Sequence, residues 1–202
     1  MLVEHEGVKL LTDPGSFTEG KTDEVCGVHA VLITHEHQDH FHLPSLAILL
    51  RNNPSTEIVC NSSMQKLLQA EDIPCTVVGD GQSADVRGIK VEGLGREHAE
   101  IYGTMGLVEN TGYFIADRFY FPGDAFFNPG KKVDVLALPT WGPWMKMKEA
   151  IDFAKEIKAR TAFGVHDGML VPEFRGFIHQ ALKTLVPGTE FVELKDGEMR
   201  KF

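Results

Sequence analysis

Short apolar runs separated by turn residues fill the first half of the chain, and this pattern predicts a series of β-strands. The segments LVEHE and VKLLTD lie on either side of Gly7 and predict a hairpin. The segment HAVLIT is continuously apolar, which is typical of a strand that is buried on both faces. Further strands are predicted, with NTG as a hairpin turn between the fourth and fifth of them: EIVC, CTVVG, IKVEGL, GLVEN, GYFIA and RFYFPG.

Four segments are predicted as helices. LPSLAILLRN has Pro44 suited to its first turn, and SSMQKLLQAE has a serine available as its cap. KMKEAIDFAKEIKA and EFRGFIHQALKTL alternate with the strands VDVLALP, TAFGV and EFVEL in the last third of the chain. In the first of these two helices, four apolar residues share one face: Ala150, Ile151, Ala154 and Ile157. Mixed sheets with helices on their outer faces predict an α/β (α+β) layered sandwich, formed as one domain over residues 1–202.

The composition fits a globular domain that needs no cross-link to fold. The chain has 202 residues, of which 43% are hydrophobic and 24% are charged. A chain of this length buries enough surface for a core without the help of a disulfide or a metal ion. Any metal ion that the chain binds is therefore expected to serve chemistry rather than folding.

The formal net charge of −9 bears on the partners of the chain. It argues against tight binding along a nucleic-acid backbone, where neutralisation of phosphates by Lys and Arg dominates the affinity. The three cysteines are widely spaced and form no Cys-x-x-Cys pair, which is typical of reduced thiols in a cytosolic protein. The sequence shows neither an export signal nor an apolar run of membrane-spanning length, so we expect a cytoplasmic protein with no membrane partner.

Metal-binding side chains are crowded into the segment THEHQDHFH, directly behind the apolar run AVLI. Four of the nine histidines of the chain lie in this segment, together with one aspartate. Such a cluster has no simple packing explanation, and its histidines would repel one another if they were protonated. A divalent cation removes that cost, because neutral imidazole and carboxylate are its natural ligands.

Three further ligand-type residues follow predicted strands elsewhere in the chain. His98 comes shortly after IKVEGL, Asp124 follows RFYFPG, and His166 directly follows TAFGV. Each of them, taken alone, is also explained as an ordinary loop residue. The ends of strands are where a rigid scaffold places its chemistry, however, and together with the cluster they could complete two adjacent ion sites. The residues of the cluster that fit such a site are His35, His37, Asp39 and His40.

These residues resemble the motif of the metallo-β-lactamase-fold hydrolase superfamily. The His-x-His-x-Asp-His motif of that superfamily matches residues 35–40. Its later single ligands match His98 in REHAEIYG, Asp124 in FPGDA and His166 in FGVHDG, and Asp13 in LLTDPG matches an aspartate that supports the metal loop. The similarity covers nearly the whole chain in the right order. Within the superfamily, the chain looks most like the small single-domain hydrolases related to the ascorbate-6-phosphate lactonases.

The resemblance implies a four-layer αββα sandwich with a site for two divalent ions along one edge, zinc first, with manganese, iron and nickel as alternatives. It also implies a reaction in which a hydroxide held by the two ions cleaves a small ester, lactone or phosphodiester. We expect Asp39 to act as the catalytic residue that orients the hydroxide and carries a proton to the leaving group. The implied ligands are His35, His37 and His98 for the first ion, Asp39, His40 and His166 for the second, and Asp124 as the bridge.

The residues around the substrate are less clearly marked. Trp141 and Trp144 in TWGPW follow a strand on the side of the ligands, and they either line a pocket or pack in an ordinary loop. Arg96 either holds an anionic group of the substrate or lies on the surface, and His42 either touches substrate or has a structural role. We expect a small-molecule substrate, anionic if Arg96 takes part, and a homo-oligomer if a second subunit covers the edge of one sheet.

Two alternative functions stay open on the same residues. Relatives with this fold use iron for oxygen or sulfur chemistry, so an iron-dependent dioxygenase or other redox enzyme is one alternative. A nuclease is the other, although the net charge of −9 counts against it. Iron content together with oxygen consumption would identify the first alternative, and salt-sensitive RNA binding would identify the second.

Overall fold

The computed structural model describes residues 1–22 and 24–202, and it contains two β-sheets. The strands of the first sheet are β1 (Leu2–His5), β2 (Val8–Thr12), β3 (Ala30–Ile33), β4 (Glu57–Cys60) and β5 (Thr76–Val77). They lie side by side in chain order. The pair β1 and β2 is antiparallel and the other neighbours are parallel. The carboxyl ends of β2, β3 and β4 therefore lie at one edge of this sheet.

The second sheet has seven strands in the order β12-β11-β10-β9-β8-β7-β6. The strands from β6 to β9 pair antiparallel, and those from β9 to β12 pair parallel. As a result β7, β9, β10 and β11 all end at the same edge. The bounds are β6 (Ser83–Val86), β7 (Ile89–Leu94), β8 (Gly112–Ile115), β9 (Phe119–Phe121), β10 (Val135–Pro139), β11 (Thr161–Val165) and β12 (Glu190–Val192).

Helices cover the outer face of each sheet. The first sheet packs against α1 (Leu43–Asn52) and α2 (Ser62–Ala70), and the second packs against α3 (Met147–Ile157) and α4 (Pro172–Leu185). Strand β3 shows how the layers arise, because Val31 belongs to the cluster under α1 and α2, whereas Leu32 belongs to the cluster between the sheets. The predicted four-layer αββα sandwich is thus confirmed; that the chain forms one domain stays a prediction.

Several local predictions are confirmed. The first hairpin turns at Glu6 and Gly7, whose φ angles of 50° and 79° suit the tight turn that matches the twist of two strands. Pro44 lies in the first turn of α1, where its missing N–H costs nothing. The predicted apolar face of α3 is buried against the second sheet, at Ala150, Ile151, Ala154 and Ile157.

Two local predictions are wrong. The N-cap of α2 is Asn61 rather than a serine, and its side chain accepts a hydrogen bond from the backbone N–H of Met64. The segment GLVEN is not a strand paired with β8 across an NTG turn, since β8 pairs with β7 and β9. The physical reason is that Asn110 is held by tertiary contacts, with its side chain donating to Pro122 O and accepting from the N–H of Asp124.

Strand β6 is an element that the apolar pattern did not predict. Two of its four residues, Ser83 and Asp85, are polar and exposed, and it lies at the edge of the second sheet, where a strand needs only one paired neighbour. Among the described residues, no helix combines the length and the apolar character that a bilayer crossing requires.

Candidate metal centre

The seven predicted ligand residues lie in loops that leave the carboxyl ends of strands in both sheets. Residues 35–40 follow β3 of the first sheet, while His98, Asp124 and His166 follow β7, β9 and β11 of the second sheet. The structure gathers these seven side chains into two groups. The groups are His35, His37 and His98, and then Asp39, His40, Asp124 and His166.

The first group consists of three imidazoles. One nitrogen of each ring lies within 4.8 Å of a nitrogen of the other two. The ring centroid of His37 is 4.7 Å from that of His35 and 4.6 Å from that of His98. Burial holds the pKa of His35 well below its ordinary value, so this ring is neutral and able to bind a cation. Three imidazoles around one point are a familiar ligand set for zinc.

The second group combines two carboxylates with two imidazoles, and Asp124 joins it to the first group. The Nε2 atom of His166 lies 3.2 Å from Oδ2 of Asp39 and 3.2 Å from Oδ2 of Asp124. The Nε2 atom of His40 lies 3.2 Å from Oδ1 of Asp124. The Oδ2 atom of Asp124 is also 3.4 Å from Nε2 of His98. Asp124 therefore lies between the groups, where the resemblance puts a bridging ligand.

Asp13 determines which ring nitrogen carries the proton in two histidines, in His40 directly and in His35 through Thr34. Oδ2 of Asp13 accepts from the Thr34 hydroxyl at 2.7 Å and lies 2.7 Å from Nδ1 of His40, which must carry the proton because an ionised carboxylate only accepts. The Thr34 hydroxyl has used its one proton in this bond, so Nδ1 of His35, 3.0 Å away, must donate to it. In its neutral form, each ring would therefore present the lone pair of Nε2 to the site.

Backbone carbonyls fix two further histidines in the same way. Nδ1 of His98 donates to the carbonyl of Ala99 at 2.6 Å, and Nδ1 of His166 donates to the carbonyl of Trp141 at 2.8 Å. A carbonyl oxygen can only accept, so the proton must again be on Nδ1. Outer partners of this kind orient histidine ligands and set their tautomer in metalloproteins.

The nitrogen and oxygen atoms that face the centre of this cluster are buried and have no hydrogen-bond partner among the described residues. Buried polar atoms without a hydrogen-bond partner are rare, and each costs about 1–3 kcal/mol. Five such atoms, without a partner among the residues that the structure describes, are Nε2 of His35, His40, His98 and His166 and Oδ1 of Asp124. A divalent cation would satisfy all of them, because imidazole nitrogens and carboxylate oxygens are lone-pair donors. The residues present therefore fit a metal site.

The charges of the site favour a cation as well. Burial lowers the pKa of His40, but the carboxylates of Asp124 and Asp13 outweigh burial and raise it well above its ordinary value. Burial also acts to lower the pKa of His166, while the carboxylates of Asp124 and Asp39, each 3.2 Å from its Nε2, raise it to about 9. Burial would raise the pKa of Asp124, yet the surrounding histidines hold it far below its ordinary range. The carboxylates thus stabilise positive charge beside them. In the absence of a metal ion, that charge comes from the protonated rings of His40 and His166.

The loops that carry the ligands adopt uncommon backbone conformations. Asp13 and His166 have φ angles of 46° and 65°, a left-handed region that few residues other than glycine adopt. Gly123, with a φ of 67°, packs so closely that a Cβ atom there would lie 2.3 Å from Oδ1 of Asn110. Such strain persists where the surrounding structure holds a functional side chain in place.

The two tryptophans of TWGPW both lie at the centre, in different ways. Trp144 is buried and its indole N–H donates to Oδ2 of Asp124 at 2.7 Å. Trp141 is half-buried, and besides accepting from His166 through its carbonyl it stacks near that ring, with centroids 6.4 Å apart. The position of TWGPW after a strand that ends at the ligand edge was the available signal for both residues.

Two asparagines that sequence reasoning missed brace the ligand loops. Asn61 donates from its side chain to the carbonyl of Thr34, directly before His35. Asn110 accepts through its side-chain oxygen from the backbone N–H of Asp124. Each residue reaches its target from a distant part of the chain, so no local pattern in the sequence could have identified it.

Two residues considered for substrate binding have other partners. Arg96 is largely exposed, and its Nε donates to Oδ2 of Asp80 at 3.2 Å. His42 is the N-cap residue of α1, and its Nδ1 lies 2.9 Å from the hydroxyl of Ser45. Among the contacts of the described residues, none joins either side chain to a metal ligand. A role of either residue toward substrate stays a prediction.

The chain is similar to known proteins along most or all of its length. The beta-lactamase superfamily domain matches residues 1–166. Protein Rv0786c of Mycobacterium tuberculosis is 34% identical over 201 residues, which are 97% of this chain and 92% of that protein.

Two solved structures resemble the fold. A candidate metal-dependent hydrolase from Parabacteroides distasonis has a TM-score of 0.76 at 21% identity, covering 95% of this chain and 87% of that one. CmlA, a diiron β-hydroxylase from Streptomyces venezuelae, has a TM-score of 0.69 at 14% identity, covering 96% of this chain and 51% of that one. At such identities the likeness concerns the fold alone. The family model and the relative from Mycobacterium tuberculosis show that the chain belongs to the beta-lactamase superfamily, as its His-x-His-x-Asp-His motif predicted.

Proposed function

We propose that the chain is a metal-dependent hydrolase that binds two divalent ions and cleaves a small ester, lactone or phosphodiester. The observation that carries this proposal is the convergence of four imidazoles whose Nε2 atoms are buried and have no hydrogen-bond partner among the described residues. The proposed ligands are His35, His37 and His98 for the first ion, Asp39, His40 and His166 for the second, and Asp124 for both.

Ions bound at these two groups would supply a water that ionises near neutral pH and a Lewis acid for the carbonyl or phosphoryl oxygen of the substrate. Asp39 is the carboxylate best placed to handle protons, because 27% of its side chain is exposed against 4% for Asp124. It can accept a hydrogen bond from the attacking water and pass a proton to the leaving group. Asp124 cannot serve in this way, since Trp144 and the histidines already engage it.

The identity of the bound metal distinguishes the hydrolase function from a redox alternative. A site of histidines and aspartates accepts zinc, manganese, iron or nickel, and we propose zinc. Iron is the second candidate, because the donor set suits it and CmlA, whose fold resembles this one, is a diiron β-hydroxylase. A purified protein that contains iron and consumes oxygen would replace the hydrolase proposal with a redox one.

Elemental analysis of the purified protein, followed by a hydrolysis panel with the same metal restored, tests the proposal. We expect close to two ions per chain and metal-dependent turnover of a member of the panel, which would contain aryl esters, lactones and phosphodiesters. A chelator should abolish that turnover, and the added metal should bring it back. Absence of both metal and turnover would overturn the proposal.

Two ligand variants test the assignment of residues. His37→Ala and Asp124→Ala should each lower metal affinity and metal-dependent turnover by a factor of about 100. His5→Ala is the matched control, because His5 is half-buried like His37 but lies on β1. Circular dichroism would confirm that the three variants are folded. Full metal content and activity in both ligand variants would show that the site is assigned wrongly.

A further inference from the structure

Exposed apolar side chains are concentrated in three loops that adjoin the metal centre. Of the fourteen large apolar side chains that are exposed among the described residues, six lie in these loops. Each of the six is more than half exposed. Single exposed apolar residues are normal on a protein surface, but a group of them around a site needs an explanation. The six residues, called the apolar rim below, are Phe17, Tyr102, Met105, Leu107, Met169 and Val171.

The first of these loops lies against His37. The two ends of this loop, residues 99–108, lie side by side, because the N–H of His98 donates to the carbonyl of Val108 at 3.1 Å. At the far end of the loop, a Cβ atom on Gly106 would be 3.7 Å from Cε1 of His37. The exposed side chains of Met105 and Leu107 are the neighbours of that glycine in the chain. This loop therefore brings apolar surface to the first ligand group.

The second loop lies against the segment that carries Asp39. Gly15 packs on it so closely that a Cβ atom there would overlap the backbone carbonyl of Asp39. The N–H of Ser16 donates to the carbonyl of Gln38 at 2.7 Å. Phe17 comes next in the chain, and its ring is exposed beside these contacts. The third loop begins at the ligand His166 itself and carries the last two members of the rim.

Two arginines near the ligands, Arg96 and Arg175, are each paired with an aspartate. The Nε atom of Arg96 is 3.2 Å from Oδ2 of Asp80, and the Nη2 atom of Arg175 donates to the carbonyl of Asp167 at 3.1 Å. The Nε atom of Arg175 also lies 3.6 Å from Oδ2 of Asp167. Arg96 lies two residues before the ligand His98, and Arg175 lies in the first turn of α4, nine residues after His166. An anionic group of a substrate would have to compete with these aspartates for either arginine, whereas an uncharged substrate would not.

We propose that the substrate of this site is an uncharged ester or lactone with an apolar chain or ring, which lies on the apolar rim while the ester group reaches the metal centre. This inference rests on the proposed hydrolase function and narrows its substrate class. Removal of hydrocarbon from water supplies the binding energy, and the rim adjoins both ligand groups, so the ester group is held where the chemistry occurs. Phosphodiesters and other anions are disfavoured by the same surfaces.

A series of straight-chain alkyl hydroxamates from two to ten carbons tests the proposal on the zinc-loaded protein. The hydroxamate group binds the metal in every member, so only the length of the hydrocarbon chain changes. A fully buried methylene strengthens binding about fourfold, and a rim open on one side should give about twofold for each methylene. The dissociation constants, measured by calorimetry, should therefore fall steadily with chain length. A dissociation constant that is independent of chain length would overturn the proposal.

Variants separate the rim from the metal centre. Met105→Ser and Met169→Ser should flatten the dependence on chain length and leave the binding of the two-carbon hydroxamate unchanged. Leu67→Ser is the control, because Leu67 is also exposed but lies on α2, outside the three loops. Unchanged chain-length profiles in both methionine variants would contradict the proposal. Failure of every hydroxamate to bind would instead count against the metal centre and the proposed function.

Two further outcomes are distinguished by simple measurements. If no hydroxamate binds, titration of the metal-free protein with Nile red, an uncharged apolar dye, decides about the rim alone. Tighter binding of the dye by the wild type than by Met169→Ser would support the rim, and equal binding would overturn it. If the wild type is a dimer that Met169→Ser dissociates, and chain length has no effect, the rim is instead an interface between two copies.

Discussion

The indole N–H of Trp144 donates a hydrogen bond of 2.7 Å to Oδ2 of Asp124, the carboxylate that lies between the two ligand groups. This bond leaves Oδ1 of Asp124 without a hydrogen-bond partner among the described residues. The indole therefore fixes the rotation of the carboxylate, with Oδ1 3.2 Å from Nε2 of His40 and Oδ2 3.2 Å from Nε2 of His166. Contacts of this kind tune a metal site without touching the metal.

Replacement of Trp144 should weaken metal binding without unfolding the protein. Trp144→Phe keeps most of the buried apolar surface and removes the one donor, so we expect a loss of metal affinity of about 10-fold to 100-fold. Competition with a chromogenic chelator measures this affinity. Trp141→Phe is the matched control, because the contact of Trp141 to His166 is made by its backbone carbonyl. An equal loss in both variants would argue that only packing is involved.

Asp13→Asn should impair the second ion site through the tautomer of His40. The amide can present an N–H to Nδ1 of His40, which would move the ring proton to Nε2 and remove the inner lone pair. Asparagine tolerates the φ of 46° at this position, so the backbone should be retained. We expect the metal content to fall by about one ion per chain, as measured by elemental analysis. Asp80→Asn, which alters an aspartate bound to Arg96, should keep the full content.

The stability of the metal-free protein should fall as the pH rises from 6.5 through 9. The pKa of His166 is raised from 6.5 to about 9 in the folded chain, so its contribution is complete below pH 6.5 and is lost once the folded state also loses the proton. This group accounts for on the order of 3 kcal/mol. Urea unfolding in the presence of a chelator at pH 6, 7, 8 and 9 measures the slope. His166→Gln should lower the slope, and the part that remains should come from His40, whose pKa is also raised.

The same protonation predicts that metal binding releases protons. His40 and His166 both have raised pKa values, and both must lose a proton before Nε2 can bind a cation. Near pH 7.5 we expect up to about two protons released for each protein molecule filled. Calorimetry in two buffers with different ionisation enthalpies gives this number directly. Zero release would contradict the assignment of these two histidines as ligands.

A pair of glycine variants tests the close packing beside Asp124. Gly123→Ala meets both a φ of 67° and a Cβ contact of 2.3 Å to Oδ1 of Asn110, so it should cost about 2–4 kcal/mol of unfolding free energy. Gly130→Ala has a similar φ of 63° but open space around the new atom, so it should cost only about 1–2 kcal/mol. Urea unfolding of the metal-free variants measures both. Equal losses would indicate that the contact with Asn110 relaxes freely.

The metal-ligand residues and most of the strands and helices could be predicted from the sequence, because both follow from local patterns. The His-x-His-x-Asp-His motif and the strand ends located all seven residues that the structure gathers, and the apolar runs located the strands that carry them. The partners of these ligands could not be read in the same way. The bond from Trp144 to Asp124 spans 20 residues and joins the segments that follow β10 and β9 of the second sheet. The bond from Asn61 to Thr34 spans 27 residues and joins the segments that follow β4 and β3 of the first sheet, so each bond depends on which strands pair.

Local chemistry also misled where tertiary contacts outweighed it. An Asn-Thr-Gly segment predicts a hairpin turn, but Asn110 bonds instead to Pro122 and Asp124, and the N–H of Thr111 donates to Thr34. Strand β6 was not predicted because it is an edge strand of four residues, and only two of them, Ala84 and Val86, are apolar.

The division of the ligands between the two sheets has a consequence for the lifetime of the protein. The ligands in residues 35–40 follow a strand of the first sheet, and the other three ligands follow strands of the second sheet. Bound metal would therefore link the segments that follow the two sheets and stabilise the folded state. A protease cleaves the unfolded chain, so bound metal should protect the protein from proteolysis. We expect starvation for metal to shorten the half-life of the protein in the cell, so that its abundance follows the metal supply.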